Sequence, residues 1–306
     1  MREKPVVIIT PVDRYLGFSA PISPIEQFAD AAKRIDIDVV FKDPQKIYIF
    51  SDKDNLPKLY DADGEVFGSA FFMFAHDHTD RNMIKYIAKT LEMTNQKVIN
   101  GYKALTVADD KGLLSLELAN RGIPCAKSVI ASVKGDTTGI IKSLESDTII
   151  GKTTGFTAGG VGIQPIPADI DYLAPLLWSI RANNMPKVIQ DDLDSGRQER
   201  SVIRAYVVGG KLIGCYTTTG YSFVNCAGLT RESVAKKYIA TEYQTNVFLE
   251  VASIAGTSGY CRIDTVGGDN FAIIEINPIA RIDADVYGMD IPFEILKYAK
   301  QLGRAE

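Results

Sequence analysis

Histidine is almost missing from this chain, with two in 306 residues. Both fall in Ala75-His76-Asp77-His78-Thr79-Asp80, and with no third histidine or paired cysteine to complete a shell they argue against a zinc centre. That segment reads better as a loop touching substrate at the C-terminal edge of a parallel sheet. No Ser-His-Asp set or Cys-His nucleophile pair is evident either. Cysteine is sparse as well: Cys125, Cys215, Cys226 and Cys261 lie far apart without CxxC spacing. This fits reduced core or strand residues of a cytoplasmic protein, a catalytic thiol being the alternative. No apolar run is long enough to span a bilayer. The amino terminus, MREKPVVIITP, passes from charge straight into a short strand-like run and lacks the apolar stretch and cleavage site of a signal peptide. Basic excess is lacking too, with 34 Lys+Arg against 38 Asp+Glu and a formal net charge of -4. That argues against a general nucleic-acid or acidic-membrane surface and leaves room for a local basic pocket. What remains, 46% hydrophobic and 24% charged, is the composition of a soluble globular protein with two or three compact units.

The first hundred residues read as alternating strands and helices. VVIIT is a buried strand, and Ser23-Pro24-Ile25-Glu26 is a capping box with proline at the first helical position. Phe28, Ala32 and Ile35 continue the apolar face of that helix. DVVFKD, KIYIFSD and GSAFFMF follow, then a helix from about Asp80 through Leu91, giving an α/β layer.

In the middle third, Asp109 and Asp110 fit a helix start, Leu113, Leu116 and Leu118 supply its apolar face, and Gly122-Ile123-Pro124 ends it. Lys111 then lies in the first turn, where a cation opposes the helix dipole. It is held there for another purpose or is simply solvated. Farther on, DTIIGKTTGFTAGGVGI sets Lys152 at the end of an apolar strand, ahead of Gly155, Gly159, Gly160 and Gly162. Successive glycines let backbone N–H groups curl around phosphate oxygens while a nearby lysine neutralises charge. A plain glycine-rich hairpin is the other reading.

Near the carboxyl end, YCRIDTV and FAIIEIN are joined by Gly267-Gly268-Asp269-Asn270, a hairpin signal. If Gly268 and Asp269 form the turn, Val266 pairs with Phe271, Asp264 with Ile273, and Arg262 with Glu275. Alternation then puts Asp264, Glu275 and Asn277 on one face. Two carboxylates and an amide oxygen suit a hard cation such as Mg2+, which completes its shell with water and substrate phosphates. The plainer reading is a polar strand end leaving into the loop opened by Pro278.

The order of these segments resembles the ATP-grasp superfamily, most closely its RimK-like carboxylate-amine ligases, from about Asn100 to the carboxyl terminus. DDKGLLSLELANRGIP is followed by IIGKTTGFTAGGVGI, KVIQDDL, SVIRAYVVGGKLIGC, GYCRIDTVGGDNFAIIEINP and YGMDIPFEIL. The resemblance implies an α/β protein with an ATP-grasp fold, in which two α+β subdomains clasp ATP behind an N-terminal α/β domain. The expected boundaries are 1–99 for the N-terminal domain, 100–187 for the central subdomain with its flap, and 188–306 for the C-terminal subdomain. It implies that Lys111 and Lys152 contact ATP, that the 155–162 loop with Gly159 and Gly160 covers the phosphates, and that Gln190, Asp191, Asp192 and Leu193 hold adenine. Asp264, Glu275 and Asn277 would bind two Mg2+ or Mn2+ ions. Arg204 matches the family arginine near the phosphates or acyl phosphate, and Asn225 matches an asparagine after the next loop. Arg281, in the loop after Asn277, would reach the substrate carboxylate or acyl phosphate, or else stiffen that loop by pairing with Asp283 or Asp285.

Four departures stand out. Val202 replaces the aspartate usual two residues before the arginine, which leaves ribose to Asp194 or Glu199. No arginine precedes Asn225. Arg262 sits at a small-residue position, and Pro278 to Asp283 replaces a small Pro-Gly loop. The implied activity is ATP-dependent amide or peptide-bond formation between a small-molecule or peptide carboxylate and an amine. The alternatives are a kinase-like phosphotransferase and a non-catalytic nucleotide-binding regulatory module. Neither a nucleic acid nor a membrane is an expected partner, and a homo-oligomer is compatible with the sequence.

Overall fold

A computed structural model describes residues 4–11, 23–74, 78–132, 135–154, 164–179, 186–195, 197, 199–220, 234–266, 271–279, 282 and 287–304. Its first layer is a four-stranded parallel sheet ordered β2-β1-β6-β7, built from β1 (Val6–Ile9), β2 (Val39–Lys42), β6 (Ala70–Met73) and β7 (Val98–Ile99). β1 and β6 are buried along their whole length, which is why VVII and AFFM read as unbroken apolar runs: helices cover both faces of a parallel sheet. Helix α1 (Pro24–Ile35) begins where Ser23 Oγ accepts from Glu26 N and Glu26 Oε2 accepts from Ser23 N, the expected capping box. A small antiparallel sheet of β3 (Tyr48–Phe50), β4 (Lys58–Asp61) and β5 (Gly64–Glu65) is inserted before β6, and α2 (His78–Met93) follows it.

Beyond the short α3 (Tyr102–Val107), α4 (Lys111–Asn120) leads into the second layer. There β8 (Ser128–Ala131), β9 (Thr148–Thr153), β10 (Gln164–Pro167) and β11 (Lys187–Asp191) form an antiparallel sheet ordered β10-β9-β11-β8. Helices α5 (Thr137–Ser143) and α6 (Ile170–Ser179) cover one face, packing Ile140, Leu144, Leu173, Leu176 and Leu177 on Ile149 and Ile189. The approach is close enough that a Cβ on Gly151 would lie 2.3 Å from Leu176 Cδ2. Strand alternation sends Lys152 and Gln190 to the opposite face.

The third layer is a five-stranded antiparallel sheet, β14-β13-β12-β15-β16, made of β12 (Arg200–Val208), β13 (Lys211–Gly220), β14 (Val234–Tyr238), β15 (Tyr260–Val266) and β16 (Ala272–Asn277). One face, with Ile203, Ala205, Val207, Ile263 and Ile276, packs on α7 (Glu242–Ile254) through Phe248 and Val251, and on α4 through Leu114 and Leu118. The expected apolar face of α4 is therefore corrected. Leu113 and Leu116 are 46% and 58% exposed, and the buried side is Lys111, Gly112, Leu114 and Leu118. The cap is as expected, with Asp110 Oδ1 accepting from Gly112 N and Leu113 N.

The last helix, α8 (Ile291–Arg304), returns to the first layer. It packs on α1, and Lys300 Nζ donates to the Ile35 carbonyl at 2.6 Å. Asn100 joins the layers at φ +60°: its amide donates to the carbonyls of Tyr260 and Pro278 and accepts from Tyr260 N.

Candidate active site

Four charged residues of the third sheet, Arg204, Arg262, Asp264 and Glu275, share the face that looks away from α7. Asp264 on β15 lies directly opposite Glu275 on β16, and Arg262 lies opposite Asn277. This corrects the expected pairing of Asp264 with Ile273 and of Arg262 with Glu275. Near the turn the register runs Val266↔Ala272 and Thr265↔Ile273, one residue from expectation, which by itself would turn every side chain to the other face. A bulge between Asp264 and Thr265 adds a second residue and restores the parity. Asp264, Glu275 and Asn277 therefore share a face, now with the two carboxylates adjacent. The turn itself, residues 267–270, lies outside the described residues.

On the neighbouring strand Arg204 pairs with Asp264 in register, and its Nε is 4.0 Å from Asp264 Oδ2. Arg262 grips the same carboxylate more tightly, with Nε 2.7 Å from Oδ1 and Nη2 2.9 Å from Oδ2. Burial alone would push the Arg262 guanidinium down, but Asp264 and the phenols of Tyr206 and Tyr216 hold it well above its ordinary value. The Tyr216 ring in turn lies 5.8 Å beneath the Arg204 guanidinium carbon.

Glu275 faces the other two layers. Lys111 is the first residue of α4, buried, with Nζ 4.0 Å from Glu275 Oε2. The dipole-opposing position is thus tied to a carboxylate of the third sheet. Lys111 N also donates to Thr154 O at 2.8 Å, which docks the helix start beside the end of β9. Lys152 on β9 is fully buried, and its pKa is pushed down to about 8 by that burial, against the pull of Glu275 and with the repulsion of Lys111. Arg81, from α2 of the first layer, is also lowered by burial and opposed by Asp109 and Glu275. Its ion pair with Asp109, two residues before Lys111, was not foreseen from sequence, where 28 residues separate the partners. Five buried or mostly buried cations, Arg81, Lys111, Lys152, Arg204 and Arg262, thus surround three carboxylates, Asp109, Asp264 and Glu275. The formal excess of two positive charges suits an anionic ligand.

The segment expected to hold adenine uses its side chains internally. Gln190 Nε2 donates to Ser128 Oγ at 2.7 Å, Asp191 Oδ1 accepts from the backbone N–H groups of Glu145 and Ser146, and Asp192 is gripped by Arg200 at 2.8 and 2.7 Å. Leu193 follows directly. The buried Asp194 carboxyl is pushed up by burial in spite of Arg197 and Arg200; its Oδ1 lies 3.5 Å from Arg197 Nη1 in an ion pair but makes no hydrogen bond among the described residues, which leaves it room to accept a hydroxyl donor. Gly159, Gly160, Asn225, Arg281, Asp283, Asp285 and His76 lie outside the described residues, as do the side chain of His78 and Cys226. Cys215 and Cys261 are buried, free and pushed up to about 12 by burial, so neither is a ready thiolate.

For a divalent cation the donors fit in kind. The two opposed carboxylates and the amide are oxygen ligands, and Asn277 Nδ2 is buried without a hydrogen-bond partner among the described residues, so rotating its oxygen toward an ion costs no bond there. A carboxylate has lone pairs beyond those Arg262 uses. Among the described residues there is no cluster of three or more His, Cys, Asp or Glu of the sort a closed metal site needs, and no helix is long and apolar enough to cross a membrane.

The chain has the fold of the ATP-grasp ligases. It matches the ATP-grasp ligase PsnB, solved with a phosphomimetic variant of its minimal precursor, Mg and ADP, at a TM-score of 0.72 and 12% identity, over 99% of this chain and 100% of that one. It matches the D-alanine–D-alanine ligase of Bacillus anthracis, complexed with ATP, at 0.68 and 12%, over 99% and 97%. A RimK-domain ATP-grasp protein of Sphaerobacter thermophilus matches at 0.67 and 13%, over 96% and 98%. No protein-family model matches the chain, and no curated protein sequence does.

Proposed function

We propose that this protein is an ATP-dependent ligase that joins a carboxylic acid to an amine, of the RimK-like kind. The single observation that carries the reading is the cluster of Lys111, Lys152, Arg204 and Arg262 around Asp264 and Glu275, where three layers of an ATP-grasp fold meet. Residues 1–99, 100–187 and 188–306 serve as its three units. Lys111 and Lys152 bind the phosphates, the 155–162 loop covers them, and the chain at Gln190 to Leu193 meets adenine through backbone groups, since its polar side chains are engaged within the protein. Asp194 takes the ribose in place of the aspartate missing at Val202. Asp264, Glu275 and Asn277 would hold Mg2+ or Mn2+, which when bound neutralises phosphate charge.

A substrate carboxylate oxygen attacks the γ-phosphorus and ADP leaves, giving an acyl phosphate. The amine nitrogen then forms the bond to the acyl carbon, phosphate departs with the old C–O electron pair, and nitrogen gives up its proton. Arg204 and Arg281 steady the anionic groups, and positioning with electrostatics accounts for the catalysis without a nucleophilic side chain. The precursor peptide bound to PsnB in its solved complex supports a peptide as one substrate class, beside amino acids and small biosynthetic acids.

A second reading is a nucleotide-binding module without turnover, favoured by the Arg262 guanidinium on both oxygens of Asp264. A mass-resolved screen of paired acids and amines with Mg-ATP decides. The ligase releases ADP only when both partners are present and yields a condensed product. A stable phosphorylated product would indicate a phosphotransferase instead, and nucleotide binding without turnover would indicate the module.

A further inference from the structure

Arg81 stands in the first turn of α2, in the layer farthest in sequence from the carboxylate hairpin. Its guanidinium is ion-paired with Asp109, and both side chains are buried. Lys85, one turn along the same helix, lies 3.4 Å from the other oxygen of Asp109. Asp109 is two residues from Lys111. Between them Asp110 caps α4, and Lys111 N is fixed to Thr154 O, so little slack separates the Asp109 carboxylate from the Lys111 backbone. At the far end of its side chain Lys111 meets Glu275 at 4.0 Å, and the Glu275 charge also acts on Arg81.

Stability alone does not call for this arrangement. Burying a guanidinium and a carboxylate costs several kcal/mol of desolvation, and an apolar pair of similar volume often holds two helices as well or better. Removing Arg81 alone is a different matter, because it leaves the buried Asp109 carboxylate without its closest counter-charge. An Asp109 with only the partly exposed Lys85 beside it would compete with Glu275 for Lys111, the buried cation two residues along the chain.

Resting on the nucleotide reading of the site, we propose that Arg81 is a positioning residue. By holding Asp109 it keeps Lys111 directed at Glu275 and the nucleotide phosphates, so that nucleotide affinity depends on a side chain of the amino-terminal layer. By linkage the dependence is mutual: nucleotide bound at Lys111 strengthens the docking of α2 on the start of α4.

The test is Mg-ATP titration calorimetry on the full chain. Arg81→Met is expected to raise the Mg-ATP Kd by about tenfold, within the usual range of coupling between linked sites. Adding Asp109→Asn removes the competing carboxylate, and the double variant should return to within about threefold of wild type although it lacks the ion pair altogether. A merely structural pair gives a different pattern, with thermal stability lost in all variants and nucleotide Kd unmoved in the folded fraction. Should Arg81→Met not fold, Arg81→Gln decides, because it removes the charge while keeping a polar side chain; several-fold weaker binding supports positioning. Unchanged affinity in the folded Arg81 variants, or no recovery in the double variant, overturns the proposal while the nucleotide site stands. Wild type that does not bind Mg-ATP, or Lys111→Met that binds it normally, overturns the nucleotide reading, and this proposal with it.

Discussion

Lys152 offers a perturbation whose sign is opposite for stability and for function. In the folded chain its pKa falls from 10.5 to about 8, chiefly through burial. At about 1.4 kcal/mol per pH unit, carrying that charge costs the ligand-free protein ~3 kcal/mol at neutral pH. Because the folded value is the lower one, the unfolded chain holds the extra proton between pH 8 and 10.5. The penalty is therefore complete below about pH 8 and disappears as pH rises through that window. Lys152→Met, of similar length and no charge, is expected to be more stable than wild type by up to ~3 kcal/mol at pH 7. For a chain of this size that is roughly 5 °C in Tm, and the advantage should vanish by about pH 10.5. On the proposed phosphate-binding role of Lys152, the same variant should also lose nucleotide binding. In wild type at pH 8 about half the lysine is neutral, so Mg-ATP binding should take up about 0.5 proton. Calorimetry in two buffers of different ionisation enthalpy reads this directly. A Lys152→Met protein that is less stable at pH 7, together with nucleotide binding that moves no proton at pH 8, would refute the argument.

Three further outcomes can be checked. Glu275→Gln keeps the hairpin register but removes the carboxylate shared by Lys111, Lys152 and Arg81, and turnover should fall on the order of 10²-fold or more with circular dichroism unchanged; normal Mg2+-dependent turnover would sink the metal assignment. Asn100→Ala loses three hydrogen bonds to Tyr260 and Pro278 and places a Cβ-bearing residue at φ +60° without a local amide, costing about 3–5 kcal/mol in chemical denaturation, with Asn100→Gly about 1 kcal/mol less severe. Equal losses for the two would show that the backbone conformation contributes nothing. Arg200→Met strands the buried Asp192 carboxylate and should cost about 3–5 kcal/mol, with the double change Arg200→Met/Asp192→Leu recovering most of it; a near-neutral single variant would mean the pair is solvated.

Much of this architecture follows from local rules that the sequence displays openly. VVII and AFFM are buried on both faces and read as such, and Ser23 to Glu26 closes its capping box because cap and acceptor lie within one turn. Patterns whose outcome depends on distant partners were less legible. Leu113 and Leu116 have helical spacing suited to a core, but α4 meets α7 and the core of the third sheet on the side of Leu114 and Leu118, and nothing within α4 fixes which stripe is covered. The carboxylate hairpin shows how a right conclusion can rest on a wrong register, since a one-residue slip at the turn and a one-residue bulge cancel in their effect on facing while moving Asp264 from Ile273 to Glu275.

The cations show the same division at the scale of the whole site. Lys111 and Lys152 could be singled out because each violates a local expectation, one opposing a helix dipole and the other ending an apolar strand. Arg81 opposes the dipole of α2 just as Lys111 opposes that of α4, so the local rule does not separate it from a solvated arginine; only the packing of the first layer against α4 makes it a buried partner of Asp109. What set Lys111 and Lys152 apart from it in the sequence was their place in the segment order from Asn100 onward, whereas Arg81 lies in the first layer, outside that order, and acquires its buried partner only when α2 packs beside the start of α4.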